Sequence, residues 1–215
     1  MYSYVRAAAL SALAFAASQA ASAGFVYQTA ARDVSVSVGG SVVDSESSMG
    51  LGSWFGNAAS TASLYTALAQ QGSGLSLGEM TFVGAAQIDS SGAAVLSANS
   101  VTTVTFLADS TESIRWMADL WREASGAGNS ASISMSVIDV ASGAVLLGFT
   151  APVLSAGSFD VVAGRTYQLN LIAVANTNSA SKALSNYNVG FFSSVPSPGA
   201  IALIGLAGLT TRRRR

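Results

Sequence analysis

FDVVAGRTYQLNLIAVA, residues 159–175, is the stretch of sequence that decides the fold. Apolar and polar residues alternate on both sides of Gly164, and Tyr167, Leu169 and Leu171 share one side of an extended chain. A period of two is typical of a half-buried β-strand, and a short break containing glycine is typical of a turn. The pattern predicts a β-hairpin. Its two strands are Phe159–Val162 and Thr166–Ala175, joined by Ala163-Gly164-Arg165.

The same alternation recurs along the chain. Val34, Val36 and Val38 alternate with serines, and Gly39-Gly40 follows them as a candidate hairpin turn. Further strands are predicted at Ser100–Leu107, at Ile133–Val137, at Ala144–Phe149 after a turn at Ser142-Gly143, and at Asn188–Phe192. About nine or ten strands with short polar turns predict an all-β fold over residues 24–194, an antiparallel β-sandwich of the jelly-roll or a related kind.

The segment Ile114–Arg122 fits two periodicities. Its apolar residues recur at every second position, as in a strand, but they also share one face of a helix through Met117 and Trp121. The strands predicted on either side favour a strand. In a strand, Trp116 and Trp121 point to opposite faces, so that one is buried and the other is exposed.

The composition excludes several classes of enzyme. The chain has 215 residues, of which 50% are hydrophobic and 10% are charged, and it contains neither cysteine nor histidine. Without histidine, no Ser-His-Asp triad and no histidine-based zinc site can form. Without cysteine, there is no disulfide and no thiolate nucleophile. We therefore predict a protein that is not an enzyme, with no catalytic residue, no cofactor and no metal.

Two kinds of polar site are compatible with this composition. Glycoside hydrolysis needs only two suitably spaced carboxylates, and calcium binds through oxygen ligands. The candidate catalytic carboxylates are Asp109, Glu112, Asp119 and Glu123. The candidate calcium ligands are Asp33, Asp44, Glu46 and Asp109. Because exposed carboxylates are common and no EF-hand pattern occurs, solvated side chains are the favoured interpretation of both sets.

Aromatic side chains are the best indication of a ligand, because a flat ring can stack on the apolar face of a sugar. Core packing is the alternative for each of them. The residues of suitable type are Trp54, Phe55, Trp116, Trp121 and Tyr187. Among these, Trp121 is the predicted glycan contact.

The first 23 residues have the three zones of a secretory signal peptide. Arg6 precedes an apolar run over residues 7–17, and Ala21-Ser22-Ala23 supplies the small residues of a cleavage site. The apolar run would span only ~17 Å as a helix, against a hydrocarbon core of ~30 Å, which argues against a permanent anchor. We expect the secretion machinery and signal peptidase to act here, with cleavage between Ala23 and Gly24.

The last 21 residues form a second set of three zones. The first is a short extended motif of Val195, Pro196, Ser197 and Pro198. The second is an apolar segment predicted to be a short membrane helix, with Ile201, Leu203, Ile204, Leu206 and Leu209. The third is a stop signal of Arg212, Arg213, Arg214 and Arg215, which the positive-inside rule keeps in the cytoplasm. The segment predicts a transient membrane contact that leaves residues 24–194 outside.

Residues 195–215 resemble the PEP-CTERM sorting domain, in which a Pro-x-Pro motif, an apolar helix and an Arg-rich end occur in this order. Ser197 stands where that family has its namesake glutamate. The resemblance implies recognition by exosortase, a membrane cysteine peptidase, and transfer to the cell surface, often in bacteria that make exopolysaccharide. The 159–175 region and Gln70-Gln71-Gly72-Ser73 also resemble the body domains of PEP-CTERM proteins of planctomycete type.

The net charge of residues 24–194 argues against binding to nucleic acid. Residues 24–194 contain five basic and eleven acidic side chains, a net charge of −6, which repels nucleic acid and anionic lipid. The sequence thus predicts an exported surface or extracellular-matrix protein associated with exopolysaccharide. A carbohydrate-binding module is the alternative, and an enzyme acting on polysaccharide through two carboxylates is a further one.

Overall fold

The computed structural model describes residues 24–150 and 152–194. These residues form twelve β-strands in two six-stranded antiparallel sheets that pack face to face as a sandwich. The strands are β1 (Phe25–Val38), β2 (Ser41–Ser48), β3 (Trp54–Ala62), β4 (Tyr65–Ser76), β5 (Glu79–Ser90), β6 (Leu96–Ala108), β7 (Glu112–Ala124), β8 (Ser130–Asp139), β9 (Val145–Phe149), β10 (Val153–Val161), β11 (Thr166–Thr177) and β12 (Ser181–Phe192). The predicted antiparallel β-sandwich is confirmed, with more strands than the sequence indicated.

The strands are distributed so that most connections cross between the sheets. Sheet A has the order β2-β1-β6-β11-β8-β9, and sheet B has the order β10-β7-β12-β5-β4-β3. Within the described residues, only β1–β2, β3–β4–β5 and β8–β9 are hairpin connections inside one sheet. Most strand pairs within a sheet therefore join segments that are distant in the sequence.

The predicted hairpin at 159–175 is wrong. The turn exists, with Gly164 at a φ of 79°, but β10 pairs with β7 in sheet B whereas β11 pairs with β6 and β8 in sheet A. At the crossing, the backbone N–H of Val162 donates to the Tyr167 hydroxyl at 2.9 Å instead of to a facing strand. Both strands still bury alternate residues, because the core lies between the sheets. Alternation therefore reveals which side chains face inward but not which strands pair.

Two other predicted turns are confirmed. Gly39 and Gly40, at φ values of 61° and 84°, join β1 to β2, because two consecutive positive φ angles suit a two-residue hairpin turn. Gly143, at a φ of 70°, lies in the turn between β8 and β9. Both hairpins form at an edge of sheet A.

The core is built from the inward-facing residues of both sheets. The predicted inward face of β8, with Ile133, Met135 and Val137, is fully buried, as are Leu169 and Leu171 of β11. Phe106 and Tyr167 also stack in the core, with ring centroids 5.6 Å apart. Stability thus comes from apolar burial along two alternating faces.

The ambiguous segment 114–122 is a strand, part of β7. Trp116 is buried and packs against Phe149 of β9, with ring centroids 5.2 Å apart. Trp121 points to the other face and is 43% exposed. The predicted strand and the opposite orientations of the two tryptophans are both confirmed.

The predicted signal peptide, residues 1–23, and the predicted sorting signal, residues 195–215, lie outside the described residues. The cleavage-site residues Ala21 and Ala23, the 195–198 motif, the apolar segment and the four arginines all fall in these two ranges. Across residues 24–150 and 152–194, no helix has the length and hydrophobicity needed to cross a membrane.

Candidate functional site

A shallow groove crosses the outer face of sheet B around Trp121. It encloses about 460 Å³, and its walls include Trp121, Asp119, Asn186, Asn188 and Val83. An adjoining groove of about 310 Å³ shares Val83 and Asn188 and extends toward β4. Together they form one open trough across the middle of the sheet, which we call the sheet B trough.

Strand register brings the polar residues of this trough together. Trp121 of β7 lies directly opposite Asn186 of β12, and Asp119 lies opposite Asn188. Because side chains two residues apart share a face, the two cross-strand pairs stand side by side on the outer surface. An indole ring beside two amides and one carboxylate can offer a stacking surface together with hydrogen-bond donors and acceptors for hydroxyl groups.

Glycines give the trough its depth. Gly72 and Gly74 of β4 line its far part, and Gly84 of β5 lies on its floor. A Cβ atom on Gly74 would lie 2.8 Å from Thr81 Oγ1 on the outer surface, whereas one on Gly84 would point into the core and collide with the Tyr187 hydroxyl. Side chains at the two β4 positions would fill the surface that the trough leaves open, and Gly84 leaves room for Tyr187 beneath it.

Tyr187 supports the trough from below rather than offering its ring to a ligand. Only 3% of the residue is exposed, and its hydroxyl lies 2.7 Å from Ser100 Oγ of sheet A. Burial raises the pKa of Tyr187 to about 12, with the Ser100 hydrogen bond acting in the opposite direction. The phenol is therefore a neutral part of the core at physiological pH.

The structure separates the other aromatic candidates from Trp121. Trp116 is buried, and Trp54 is half-buried against the core, which suits structural packing for both. Phe55 is 66% exposed on β3, at the far edge of sheet B. Trp121 alone combines an exposed indole with a groove among the five candidates that the sequence singled out.

The carboxylate candidates for glycoside hydrolysis fall into two separate groups, one on the outer face of β7 and one at the start of that strand. Asp119 and Glu123 point outward from β7 at positions four residues apart, a span of ~13 Å in a strand, beyond the ~9.5 Å upper spacing of glycosidase pairs. Glu112 is only 8% exposed at the other end of the strand and accepts hydrogen bonds from serines. Asp109 lies in the adjoining turn.

Two of the candidate calcium ligands already accept hydrogen bonds from backbone amides. Asp44 Oδ2 accepts from the N–H of Ala59 at 2.8 Å, and Glu46 Oε2 accepts from the N–H of Asn57 at 3.0 Å. Both donors belong to β3, the edge strand of sheet B, so these carboxylates of β2 cover unpaired edge amides. Within the described ranges, no three Asp, Glu, His or Cys side chains cluster as a metal site would require.

Both ends of the described body meet at Glu112. Glu112 Oε2 accepts from Ser193 Oγ at 2.6 Å, from the Ser194 N–H at 2.9 Å and from Ser194 Oγ at 3.1 Å. Gly24 is buried against the same residues, because a Cβ added to it would collide with both Glu112 Oε1 and Ser193 Oγ. The two points where the predicted end signals join the body are therefore in contact.

Sequence reasoning missed this junction and most of the trough. Glu112 entered only as a candidate acid, and Asn186, Asn188, Val83 and Gly84 were not identified. Asn186 and Asn188 do share a face in an alternating strand, which is a signal, but the pairing of β12 with β7 that places them beside Trp121 is not encoded locally.

No known protein-family model matches the chain, and no curated protein does either. The described residues form a two-sheet antiparallel β-sandwich with an open groove beside Trp121 on the outer face of sheet B.

Proposed function

We propose that this chain is an exported, non-enzymatic protein of the bacterial cell surface or extracellular matrix, cleaved after Ala23 and sorted through the PEP-CTERM-like segment 195–215. The observation that carries the proposal is the contact of Gly24 with Ser193 beside Glu112. If a membrane-directed signal is attached at each end of residues 24–194, both attachment points must lie on a side of the domain that can face the membrane.

The position of the junction supports this route. With both connections at one place, the apolar segments at the two ends can engage the same membrane while one end of the sandwich faces it. The net charge of −6 on residues 24–194 keeps the remaining surface away from anionic lipid. The expected partners are the secretion machinery, signal peptidase and an exosortase-like membrane peptidase.

Mass spectrometry of the protein recovered from the cell surface or the medium tests this route. We expect an N-terminus at Gly24 and the loss of the Arg212–Arg215 tail, and we expect the tail to persist when the host's exosortase gene is deleted. Secreted protein that still ends at Arg215 would contradict the sorting step, and full-length protein in the cytoplasm would contradict export altogether.

A second candidate function, carbohydrate binding, is favoured by the sheet B trough. Trp121 is 43% exposed there beside Asn186, Asn188 and Asp119, a combination that suits the hydroxyls and the apolar face of a sugar. The trough is open along the sheet and carries one acidic group in its central part, which suits a neutral exopolysaccharide chain more than an anionic one. In this view the protein is a carbohydrate-binding module that attaches to the matrix polymer.

We propose a binding role rather than hydrolysis because of the spacing of the acids. Asp119 is the carboxylate that lines the trough near Trp121, and Glu123 is too far along β7 to act with it. A release of reducing sugar from any polysaccharide that the protein retains, lost in Asp119→Asn, would contradict the non-enzymatic assignment.

A further inference from the structure

Gly24 occupies a position in which no side chain fits. It is buried, its φ is 29°, and a Cβ would collide with Glu112 Oε1 and with Ser193 Oγ. Its carbonyl also accepts from the N–H of Asp109 at 3.4 Å. Gly24, the predicted first residue of the mature chain, is thus buried within the folded body.

Glu112 brings negative charge to this enclosed position. Its Oε1 accepts from Ser110 Oγ at 3.3 Å, and its Oε2 accepts the Ser193 and Ser194 hydrogen bonds described above. Because the Cβ position of a residue lies about 2.5 Å from its own backbone nitrogen, the Glu112 carboxylate is within about 5 Å of the Gly24 nitrogen. That is within reach of a charge–charge interaction with little intervening water.

Asp109 places a second carboxylate in the same neighbourhood. Both of its carboxylate oxygens are shielded from solvent, and neither has a hydrogen-bond partner among the residues that the structure describes. A shielded carboxylate is costly unless a positive charge is close to it. Of the two salt bridges within the described residues, Lys182–Asp89 lies at the opposite end of the body, and Arg165, in the turn beside Ala108, is paired with Asp139.

We propose that the α-ammonium group of Gly24 is an integral part of the fold and forms a buried ion pair with Glu112, in the field of Asp109. Hydrolysis of the Ala23–Gly24 bond by signal peptidase adds one water, leaving a carboxylate on Ala23 and the ammonium on Gly24. Cleavage occurs during export, before the domain folds, so the bond does not have to be accessible in the folded state. Processing then places a positive charge beside Glu112.

The inference rests on the proposed export and cleavage, and it adds a consequence: the precursor and the mature protein differ in stability. With the leader attached, the Gly24 nitrogen is a neutral amide and offers no positive charge to the two acids. After cleavage the same atom is cationic, and it ties the start of β1 to Glu112 and, through Glu112, to the end of β12. In the mature protein, the ion pair therefore stabilises the contact between the first and last strands of the body.

Amine labelling of the exported protein tests the ion pair with an internal control. The sequence contains one lysine, Lys182, so a chain that begins at Gly24 has two amines. Lys182 is exposed on the surface, where Nζ lies 3.0 Å from Asp89 Oδ2. The exported protein is acylated at neutral pH, folded or in denaturant, and the two labels are quantified by mass spectrometry of the corresponding peptides.

In denaturant we expect the Gly24 amine to react faster than Lys182, because an α-amine is less basic than a lysine. In the folded protein we expect the Gly24-to-Lys182 labelling ratio to fall at least tenfold. Glu112→Gln should restore most of the Gly24 labelling, whereas Asp119→Asn, a neutralised carboxylate on the outer face of the same strand, should not. The comparison of folded with denatured wild-type protein stays informative even if Glu112→Gln does not fold.

Two failures are distinguishable. A mature N-terminus at another residue would overturn both the proposed cleavage and the ion pair. An N-terminus at Gly24 that labels equally in the folded and denatured states would overturn the ion pair alone. So would full protection of Gly24 in a folded Glu112→Gln protein, because protection would then arise from burial without the charge.

Discussion

The hydroxyl of Tyr187 in sheet B lies 2.7 Å from the Oγ of Ser100 in sheet A, and this contact joins the two halves of the sandwich through the core. Ser100 Oγ in turn donates to Gln71 Oε1 at 3.4 Å, back in sheet B. All three residues are at most 3% exposed. Buried polar groups of this kind fix the alignment of the sheets, because a shift would leave them without partners.

Tyr187→Phe should destabilise the protein by about 1–3 kcal/mol, because it leaves the Ser100 hydroxyl buried without its closest partner. Chemical denaturation followed by circular dichroism measures the effect. The matched control is Tyr65→Phe, since the Tyr65 hydroxyl makes one long contact of 3.4 Å with Ser60 and is not in the core. Equal effects of the two substitutions would contradict a special role for the inter-sheet contact.

The same phenol makes the stability depend on alkaline pH. Burial raises the pKa of Tyr187 from 10.0 to about 12 in the folded protein, whereas the unfolded chain titrates near the ordinary value. Its contribution to stability is complete below pH ~10 and decreases as the pH rises toward 12, because the unfolded state loses the proton first. Burial also raises the pKa of Tyr27, which contributes in the same direction.

We therefore expect the free energy of unfolding of the wild-type protein to decrease between pH 10 and pH 12, and Tyr187→Phe to decrease less steeply over that interval. Denaturant midpoints measured at half-unit steps of pH provide the comparison. Parallel curves for the two proteins would show that Tyr187 does not titrate as its burial requires.

The inward and outward faces of the strands could be predicted from the sequence, but strand pairing could not. The spacing of Trp116 and Trp121 alone predicts that they lie on opposite faces, and the structure agrees. The pattern of residues 159–175 predicts a hairpin in one sheet, but the segment belongs to two sheets, because a hairpin and a crossing between sheets bury the same alternate residues. Pairing is set by contacts between segments distant in the chain.

The sequence pattern does not reveal β3 and β4, for a different reason. Their buried positions include Ala58, Ala67, Ala69 and Gln71, which lack the β-branched and aromatic character on which strand prediction relies. These small residues allow close packing, and neighbouring glycines leave the outer surface open. The part of the trough that lies on β4 is therefore the hardest to predict from the sequence.

An ion pair at one end of the sandwich should make stability depend on acidic pH. Arg165 Nη1 lies 2.6 Å from Asp139 Oδ2, and the amides of Ala141 and Ser142 donate to Asp139 Oδ1 at 3.0 and 3.3 Å. The Arg165 hydrogen bond is the main cause that lowers the pKa of Asp139, and the amides act in the same direction. The resulting stabilisation is present above the ordinary Asp pKa and is lost as the pH falls through the lowered value.

Asp139→Asn should accordingly lower the melting temperature at neutral pH, and the difference from wild type should shrink as the pH falls below 4. Thermal melts over the acidic range test this, with Asp160→Asn, an exposed carboxylate on β10, as the control. A difference that persists unchanged to the lowest pH would mean that the carboxylate charge is not what stabilises the turn.

Arg32 is an internal cation that should be replaceable with a gain in stability. It is only 2% exposed, and Nη1 donates to the Gly50 carbonyl at 2.9 Å. Nε and Nη2 have no hydrogen-bond partner within the described part of the chain, and burial lowers the pKa of the guanidinium. Since replacing a poorly compensated buried charge with an apolar side chain of similar size is often stabilising, Arg32→Met should raise the free energy of unfolding by about 1 kcal/mol or more.

Denaturant unfolding of Arg32→Met measures this change, with Arg115→Met on the exposed face of β7 as the control for loss of one positive charge. A loss of more than about 1 kcal/mol in Arg32→Met alone would contradict the expectation and would show that the guanidinium is better compensated than its hydrogen bond to Gly50 implies.

If the sheet B trough binds polysaccharide, Trp121→Ala should remove most of the retention. A stacked aromatic ring contributes about 0.5–1.5 kcal/mol beyond the apolar area that it covers, so the loss of Trp121 should weaken binding to a repeating polymer by at least tenfold. Affinity electrophoresis through gels containing the host exopolysaccharide, compared with gels containing neutral glucans, gives the affinities. Met117→Ala is the matched control, because Met117 is 50% exposed on the same face of β7 and is not among the residues that line the trough. Retention that is equal in wild type and Trp121→Ala would exclude the trough as the binding surface, and the absence of retention on every polymer would end the carbohydrate-binding hypothesis while leaving the sorting route intact.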